Sequence, residues 1–297
     1  HRPYIIAITG NVGKTSVKDL VSHVLSNLNI RATKKSENSE IGIPLTILGA
    51  ANPWYSPVKW IALLCRGLYV FAKSDYPEYL VLEVGADTPG DIKSVTEWLS
   101  PNVVVLTEFA EVPVHIENFN NDRSRLIKEK GYLIHAATDL IIYCGDDIDS
   151  QEIIKEVTAS KILKNKEIDI LGYGENKFND IVLEDYGPIK GVSGMRGNVR
   201  FKDRLYKVEV QNVLGRAAIK NTLPALLISD YLEEGIESAV GKLQDFKPTN
   251  GRMKVMPGQN GSIIIDDSYN ASPKAVVNAL EQLKTLKGRR IAVLGDM

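Results

Sequence analysis

The chain has 297 residues, 44% of them hydrophobic and 25% charged, with a formal net charge of −1. This composition fits a soluble protein of one large or two ordinary domains. The balanced charge, with no long basic run, excludes an electrostatic nucleic-acid binder. Cys65 and Cys144 are the only cysteines; they make neither a disulfide framework nor a metal-ligand spacing, so a reducing cytoplasm is the expected compartment.

The apolar run Tyr4–Ile8 reads as a buried strand that breaks at Thr9-Gly10. After Gly13-Lys14-Thr15, the residues Val17, Leu20, Val21, Val24, Leu25 and Leu28 fall at helical spacing. Strand, glycine-bearing loop, Lys-Thr and helix make a phosphate-binding loop. The pattern is the short form T-G-x-x-G-K-T, because Ile8 stands where the longer form has its first glycine. The backbone of Gly10, Asn11, Val12, Gly13 and Ser16 is expected to face phosphate, with Lys14 reaching the β and γ oxygens and the Thr15 hydroxyl available to Mg²⁺. The first apolar run is short and enters this loop directly, unlike a signal peptide.

A polar loop follows at Lys34–Glu40, then Ile41–Leu48, where Pro44 is expected to limit regular structure. Pro53–Ala72 carries Trp54, Trp60 and a mainly apolar run, too short to span a bilayer. It reads as a core or surface helix, with an interfacial patch touching a membrane as the rival reading. Tyr79–Gly85, Asn102–Thr107 and Asp139–Tyr143 read as strands, and Asp122–Ala137 as a helix. This alternation implies a parallel sheet with right-handed crossovers. Between about Ile168 and Val213, frequent glycines and short alternating stretches predict a small antiparallel sheet inserted in the parallel core or packed on it. Helices are expected at Ala217–Tyr231 and Ile236–Leu243. Asp245–Asn250 has the composition of a linker. Beyond it, strand Ser262–Asp266, helix Ser272–Leu286 (capped by Ser272 before Pro273) and strand Arg290–Leu294 make one β-α-β unit.

Other polar residues sit at strand ends. Glu83 closes an apolar strand at the carboxyl edge, where ligands bind in α/β sheets, and suits a Mg²⁺ ligand. On pattern alone His115 reads as a packed histidine and Lys130 as a surface lysine. Gly251-Arg252 and Asp266–Asn270 lie at the expected domain junction, placed either to clamp phosphate and ribose or simply to form a capped turn.

In order along the chain, Thr9–Ser16, Asn38–Pro44, Leu82–Ala86, His115-Ile116-Glu117, Gly251-Arg252, Asp266–Pro273 (DDSYNASP) and Val293–Met297 (VLGDM) resemble the motifs of the Mur ligases. The likeness is strongest to those members that add D-alanyl-D-alanine to UDP-N-acetylmuramoyl-tripeptide. It implies ATP-dependent amide-bond formation in cytoplasmic peptidoglycan precursor synthesis, by a monomer without stable membrane insertion. It also implies a P-loop α/β central domain at residues 1–248, with a mostly parallel sheet, flanking helices and a small antiparallel subsheet. Residues 249–297 would begin a Rossmann-like C-terminal domain, making the chain a fragment of a three-domain enzyme that is not necessarily active alone. By this resemblance Thr15 and Glu83 bind a first Mg²⁺. His115 and a carbamylated Lys130 bind a second, and both join Lys14 in catalysis. Asn221 contacts adenine, Arg252 phosphate and Asp267 ribose.

Three motifs depart from the family pattern. Gly215-Arg216-Ala217-Ala218 replaces Gly-Arg-His-Asn, Tyr143-Cys144-Gly145-Asp146-Asp147 replaces Leu-Asn-x-Asp-Asp, and Asn38-Ser39 replaces an Asn pair. Rival readings are a sibling ligase, including the folylpolyglutamate synthases, and a nucleotide-binding module without amide chemistry.

Overall fold

The computed structural model describes residues 1–34, 38–72, 75–110, 116–160, 167–269 and 273–295. The chain opens with β1 (Tyr4–Thr9), α1 (Lys14–Val24), β2 (Ile30–Ala32), α2 (Gly42–Leu48), α3 (Pro57–Ala72) and β3 (Tyr79–Glu83). It continues through α4 (Asp91–Thr96), β4 (Val103–Leu106), α5 (Arg123–Ala136), β5 (Leu140–Cys144) and α6 (Ile148–Ala159). The strands β6 (Asp169–Gly174), β7 (Ile181–Pro188), β8 (Gly194–Phe201) and β9 (Arg204–Gln211) precede α7 (Arg216–Lys220), α8 (Leu223–Tyr231) and α9 (Ile236–Leu243). Last come β10 (Lys254–Pro257), β11 (Ile263–Asp266) and α10 (Pro273–Thr285).

The first nine strands form one sheet in the order β2-β3-β1-β4-β5-β6-β7-β8-β9. Pairing is parallel from β2 through β7 and antiparallel across β7, β8 and β9. The antiparallel strands therefore continue the edge of the parallel sheet. Side chains alternate across the pleat. Ile6 and Ile8 of β1 join a core with α1, α8 and α9. Ala7 faces the opposite core, with Ile43 of α2, Ile92 of α4, Leu133 of α5 and Ile153 of α6. Burial on both faces is why the strands read as continuous apolar runs.

Several expectations change. Ile41–Leu48 is helical despite Pro44, because the proline sits in the first turn of α2, where its missing N–H has no intrahelical partner to lose. The helix expected over Ala217–Tyr231 is two helices, broken at Asn221-Thr222, with Pro224 in the first turn of α8. Asp245–Asn250 is irregular but pinned: Phe246 packs into the α1 core, and the Thr249 hydroxyl donates to Asp19 Oδ2 at 2.6 Å. Residues 290–294 form no strand; Val293 and Leu294 lie exposed beside no ladder partner among the described residues. The strand of the last unit pairs instead with β10, antiparallel. Ser272 lies outside the described residues, as do parts of the two C-terminal motifs. No helix among the described residues is long and apolar enough to cross a membrane.

Candidate functional site

The sheet order reverses around β1: the chain runs to β2 and β3 on one side, then returns to β4 on the other. A crevice at the carboxyl end of such a switch strand is where α/β sheets bind ligands. The loop after β1 is shaped by close approaches. Gly10 has φ +129°, and a Cβ there would lie 2.1 Å from Thr107 Oγ1 at the end of β4. Gly13 has φ +89°, and its Cβ would lie 2.8 Å from Asn221 Oδ1. Only glycine fits either position. The break between α7 and α8 is what brings Asn221 to the loop.

The amides of Asn11 and Val12 donate to the Glu108 carbonyl, at 3.1 and 3.0 Å. They are committed to the β4 edge and do not open to the loop centre, unlike the expectation from the motif. The first helical bond runs from Val17 N–H to Gly13 O. The amides of Lys14, Thr15 and Ser16 are therefore the first-turn donors that an anion would meet.

Glu83 pairs in register with Ile8 on the adjacent strand and is buried. Its Oε1 accepts from Asn38 Nδ2 at 3.2 Å, and its amide donates to Thr33 Oγ1 at 3.1 Å. Its Oε2 is buried without a hydrogen-bond partner among the described residues. Three more buried side-chain atoms without partners among the described residues lie around the same loop: Thr9 Oγ1, Asn11 Oδ1 and Arg252 Nε. Folded proteins pair nearly all buried polar atoms, so a cluster of orphans points to a missing ligand.

Lys130 is 2% exposed, not a surface lysine. Burial and the Lys14 ammonium lower its pKa to about 7, against the opposing pull of Glu129 and Asp87. The Lys14 pKa is also lowered, by desolvation and by Arg252, although Glu83 and Asp87 oppose the shift. Lys14, Glu83, Lys130, Asp87 and Arg252 thus act on one another in a single site. Motif reading missed Asp87; its position two residues past Gly85, in the loop after a strand, was the available signal. It also missed the Glu108 carbonyl, because a backbone acceptor has no sequence signature.

From the C-terminal side, Gly251 adopts φ +74°, with space for no Cβ against Tyr269. Its amide donates to Asp266 Oδ2 at 2.8 Å. Arg252 lies over the Tyr269 ring, 4.3 Å from its centroid, and its Nη2 donates to Thr15 Oγ1 at 3.3 Å. Asp267 Oδ1 accepts from Met253 N–H at 3.1 Å, and burial raises its carboxyl above the ordinary value. His115 lies outside the described residues. Among the described residues, no three His, Cys, Asp or Glu side chains cluster as a metal site.

Beside the loop, Lys220 is buried between Asp146, at 3.1 Å, and Glu108, at 3.4 Å. Asp146 also accepts from the amides of Glu175 and Asn176. Burial works to raise the Asp146 carboxyl, but these amides and the Lys220 ammonium outweigh it and hold it below the usual range.

Comparison with known proteins matches residues 8–229 to the family model described as Mur ligase middle domain, and residues 251–297 to that described as Mur ligase, glutamate ligase domain. The chain is 25% identical over 298 residues to the UDP-N-acetylmuramoyl-tripeptide--D-alanyl-D-alanine ligase of Bacillus subtilis, covering 99% of this chain and 56% of the relative. A MurF ligase from Thermotoga maritima, solved in complex with ADP, superposes with a TM-score of 0.76 at 25% identity, over 97% of this chain and 58% of that one. MurF from Acinetobacter baumannii gives the same TM-score at 19% identity, over 97% of this chain and 55% of that one. The chain thus spans little more than half the length of these relatives.

Proposed function

This chain belongs to the Mur ligase family, and on that premise we propose that the full-length protein joins D-alanyl-D-alanine to UDP-N-acetylmuramoyl-tripeptide at the expense of ATP. The observation that carries this reading is the set of unpaired buried polar atoms, including Glu83 Oε2 and Arg252 Nε, around a glycine loop with Lys14 at its helix start. In the proposed reaction a carboxylate oxygen of the peptide attacks the γ-phosphorus and ADP leaves, giving an acyl phosphate. The amine of D-alanyl-D-alanine then attacks the acyl carbon, and phosphate leaves with that oxygen.

Lys14 and the first-turn amides of α1 hold the β and γ oxygens, and Arg252 approaches from the C-terminal segment. In this reading Asn221, which lies against Gly13, contacts the base, and Asp267, which accepts from Met253 N–H, contacts the ribose. A Mg²⁺ ion would be held by the Glu83 oxygen that has no partner among the described residues and, once the Arg252 contact gives way, by the Thr15 hydroxyl. When bound, Mg²⁺ neutralises the triphosphate charge that otherwise repels the attacking carboxylate. A second ion would take His115 and Lys130. A lysine whose pKa is near 7 is largely neutral above that pH and can add CO₂, becoming an anionic carbamate. We place the domain division at 248/249 and the reaction in the cytoplasm, where nucleotide-linked precursors are made.

The test is ADP release by the full-length protein. It should require both the tripeptide nucleotide and D-alanyl-D-alanine, and Lys14→Ala should lower it by at least about 100-fold. Preference for a different acceptor amine would reassign the protein to a sibling ligase. Nucleotide binding without acceptor-dependent ADP release would point to a module without amide chemistry.

A further inference from the structure

The segment that leads into Gly251-Arg252 lies along one stripe of α1. In that helix Thr15, Asp19 and His23 stand four apart, so their side chains follow one another along a single face. Each meets one residue of the segment, and those partners stand three apart in the reverse order. The Phe246 and His23 rings meet at 68°, with centroids 5.5 Å apart. The Thr249 hydroxyl donates to Asp19 Oδ2 at 2.6 Å. Arg252 Nη2 donates to Thr15 Oγ1 at 3.3 Å. The segment therefore runs antiparallel to α1, from the last turn of the helix to the phosphate loop.

Asp19 makes the middle contact, and it is braced from within. Its Oδ1 lies 2.7 Å from Lys18 Nζ. Lys18 is buried and also donates to the Thr33 carbonyl at 2.8 Å. The Thr33 hydroxyl in turn accepts from the Glu83 amide at 3.1 Å. One Asp19 oxygen is thus committed to Lys18 and the other to Thr249, and the linker is referred to the same residue that holds the Glu83 backbone. The chain leaving Arg252 is tied elsewhere, since the Met253 carbonyl accepts from Leu214 N–H at 3.1 Å. With that end held, Thr249 sets how the chain enters Arg252. It lies three residues away, a reach of at most about 10 Å, whereas Phe246, the next contact upstream on α1, allows about 20 Å.

We infer that Asp19 and Thr249 are positioning residues for the nucleotide: their hydrogen bond fastens the linker to α1 one turn beyond Thr15 and aims Arg252 at the phosphates. This rests on the reading of Arg252 as a phosphate contact, and it gives a role to two residues outside the phosphate loop. Thr249 is exposed, so its hydroxyl can be removed without opening the core.

The test is calorimetric titration of the full-length protein with Mg²⁺-ATP. Arg252→Ala, which reports on the phosphate contact itself, should weaken binding at least about tenfold. Thr249→Val keeps the shape and loses the hydroxyl; it should weaken binding at least about threefold. Thr249→Ser, which keeps the hydroxyl, should bind within about 1.5-fold of wild type. Asp19→Ala should lose at least as much as Thr249→Val, and combining the two should add no more than about 1.5-fold. In an Arg252→Ala background Thr249→Val should also weaken binding by no more than about 1.5-fold, because a residue acting through Arg252 has nothing left to aim. Wild-type affinity in Thr249→Val, with Arg252→Ala weakened, would overturn the inference and leave the phosphate contact standing. Equal losses from Thr249→Val in both backgrounds would overturn it too, as the mark of a general effect on the fold. Wild-type affinity in Arg252→Ala would remove the phosphate contact and the inference with it.

Discussion

Lys130 illustrates how little a side chain's type says without its surroundings. Arg123–Lys130 carries five charges in eight residues, the pattern of a solvated helix face, yet Glu129 and Lys130 are both buried. Sequence periodicity cannot reveal this, because the partners come from the distant segment 87–93. The buried amine has a cost that varies with pH. From about 7 up to the ordinary 10.5 the unfolded chain binds the proton and the folded one does not, so this group's contribution to stability rises with pH across that window. Below it both states are protonated and the penalty is complete. Lys130→Met is therefore expected to stabilise the fold near neutral pH by at most about 1.4 kcal/mol for each unit by which burial lowers the Lys130 pKa, with the gain shrinking toward pH 10, while the proposed turnover of the full-length protein is lost. Chemical denaturation at pH 6, 7.5 and 9.5 reads the first effect, and a variant less stable than wild type at pH 6 would refute it. Glu83 was legible from its strand-end position, but its unpaired oxygen was not. Glu83→Gln should bind Mg²⁺-nucleotide at least about tenfold more weakly than wild type and metal-free nucleotide no more weakly; calorimetry with and without the metal separates the two.

At the level of elements, the long apolar strands were readable from the chain, while β2, α4, α6 and β10 were not. Three or four residues of β2 or β10, or six of α4, are too short for a period to emerge. The short helix α4 stands because Glu129 of α5 accepts from the amides of Gly90, Ile92 and Lys93 at its start, at 3.0, 2.8 and 3.0 Å. The same turn of α5 carries Lys130, so one contact fixes both. Glu129→Ala should cost about 2–3 kcal/mol and speed amide exchange in residues 90–96 more than in β1; uniform exchange would contradict that coupling. The polar cluster at β5 is similarly local. Removing the Asp146 carboxylate leaves the buried Lys220 ammonium with Glu108 alone and takes the acceptor from the Glu175 and Asn176 amides, so Asp146→Ala should destabilise by about 1–3 kcal/mol. Lys220→Met/Asp146→Ala should recover part of that loss in a double-mutant cycle. Because Lys220 adjoins Asn221 and also pairs with Glu108, this cluster supports both the Asn221 contact at Gly13 and the carbonyl that holds Asn11 and Val12. The sequence departures at Ala217-Ala218 and Tyr143-Cys144 fall in the segments just before these two residues.

For the whole molecule, the fold class followed from alternating strands and helices, and the ordered motifs pointed to the family before any coordinates. What the chain alone could not supply was continuity. The antiparallel strands are an extension of the one sheet, and residues 251–252 reach back to Thr15 across more than 230 positions. The architecture therefore gathers a phosphate loop, a buried acid, a buried lysine and an arginine from residues 251–252 at one switch point. Gathering these groups suits the formation and protection of an acyl phosphate, and that intermediate is the central claim. It is tested by giving the full-length protein ATP, D-alanyl-D-alanine and UDP-N-acetylmuramoyl-tripeptide whose terminal carboxylate carries ¹⁸O. The account predicts that the released inorganic phosphate carries one ¹⁸O atom from that carboxylate. Phosphate free of the label, with ADP still formed, would contradict it.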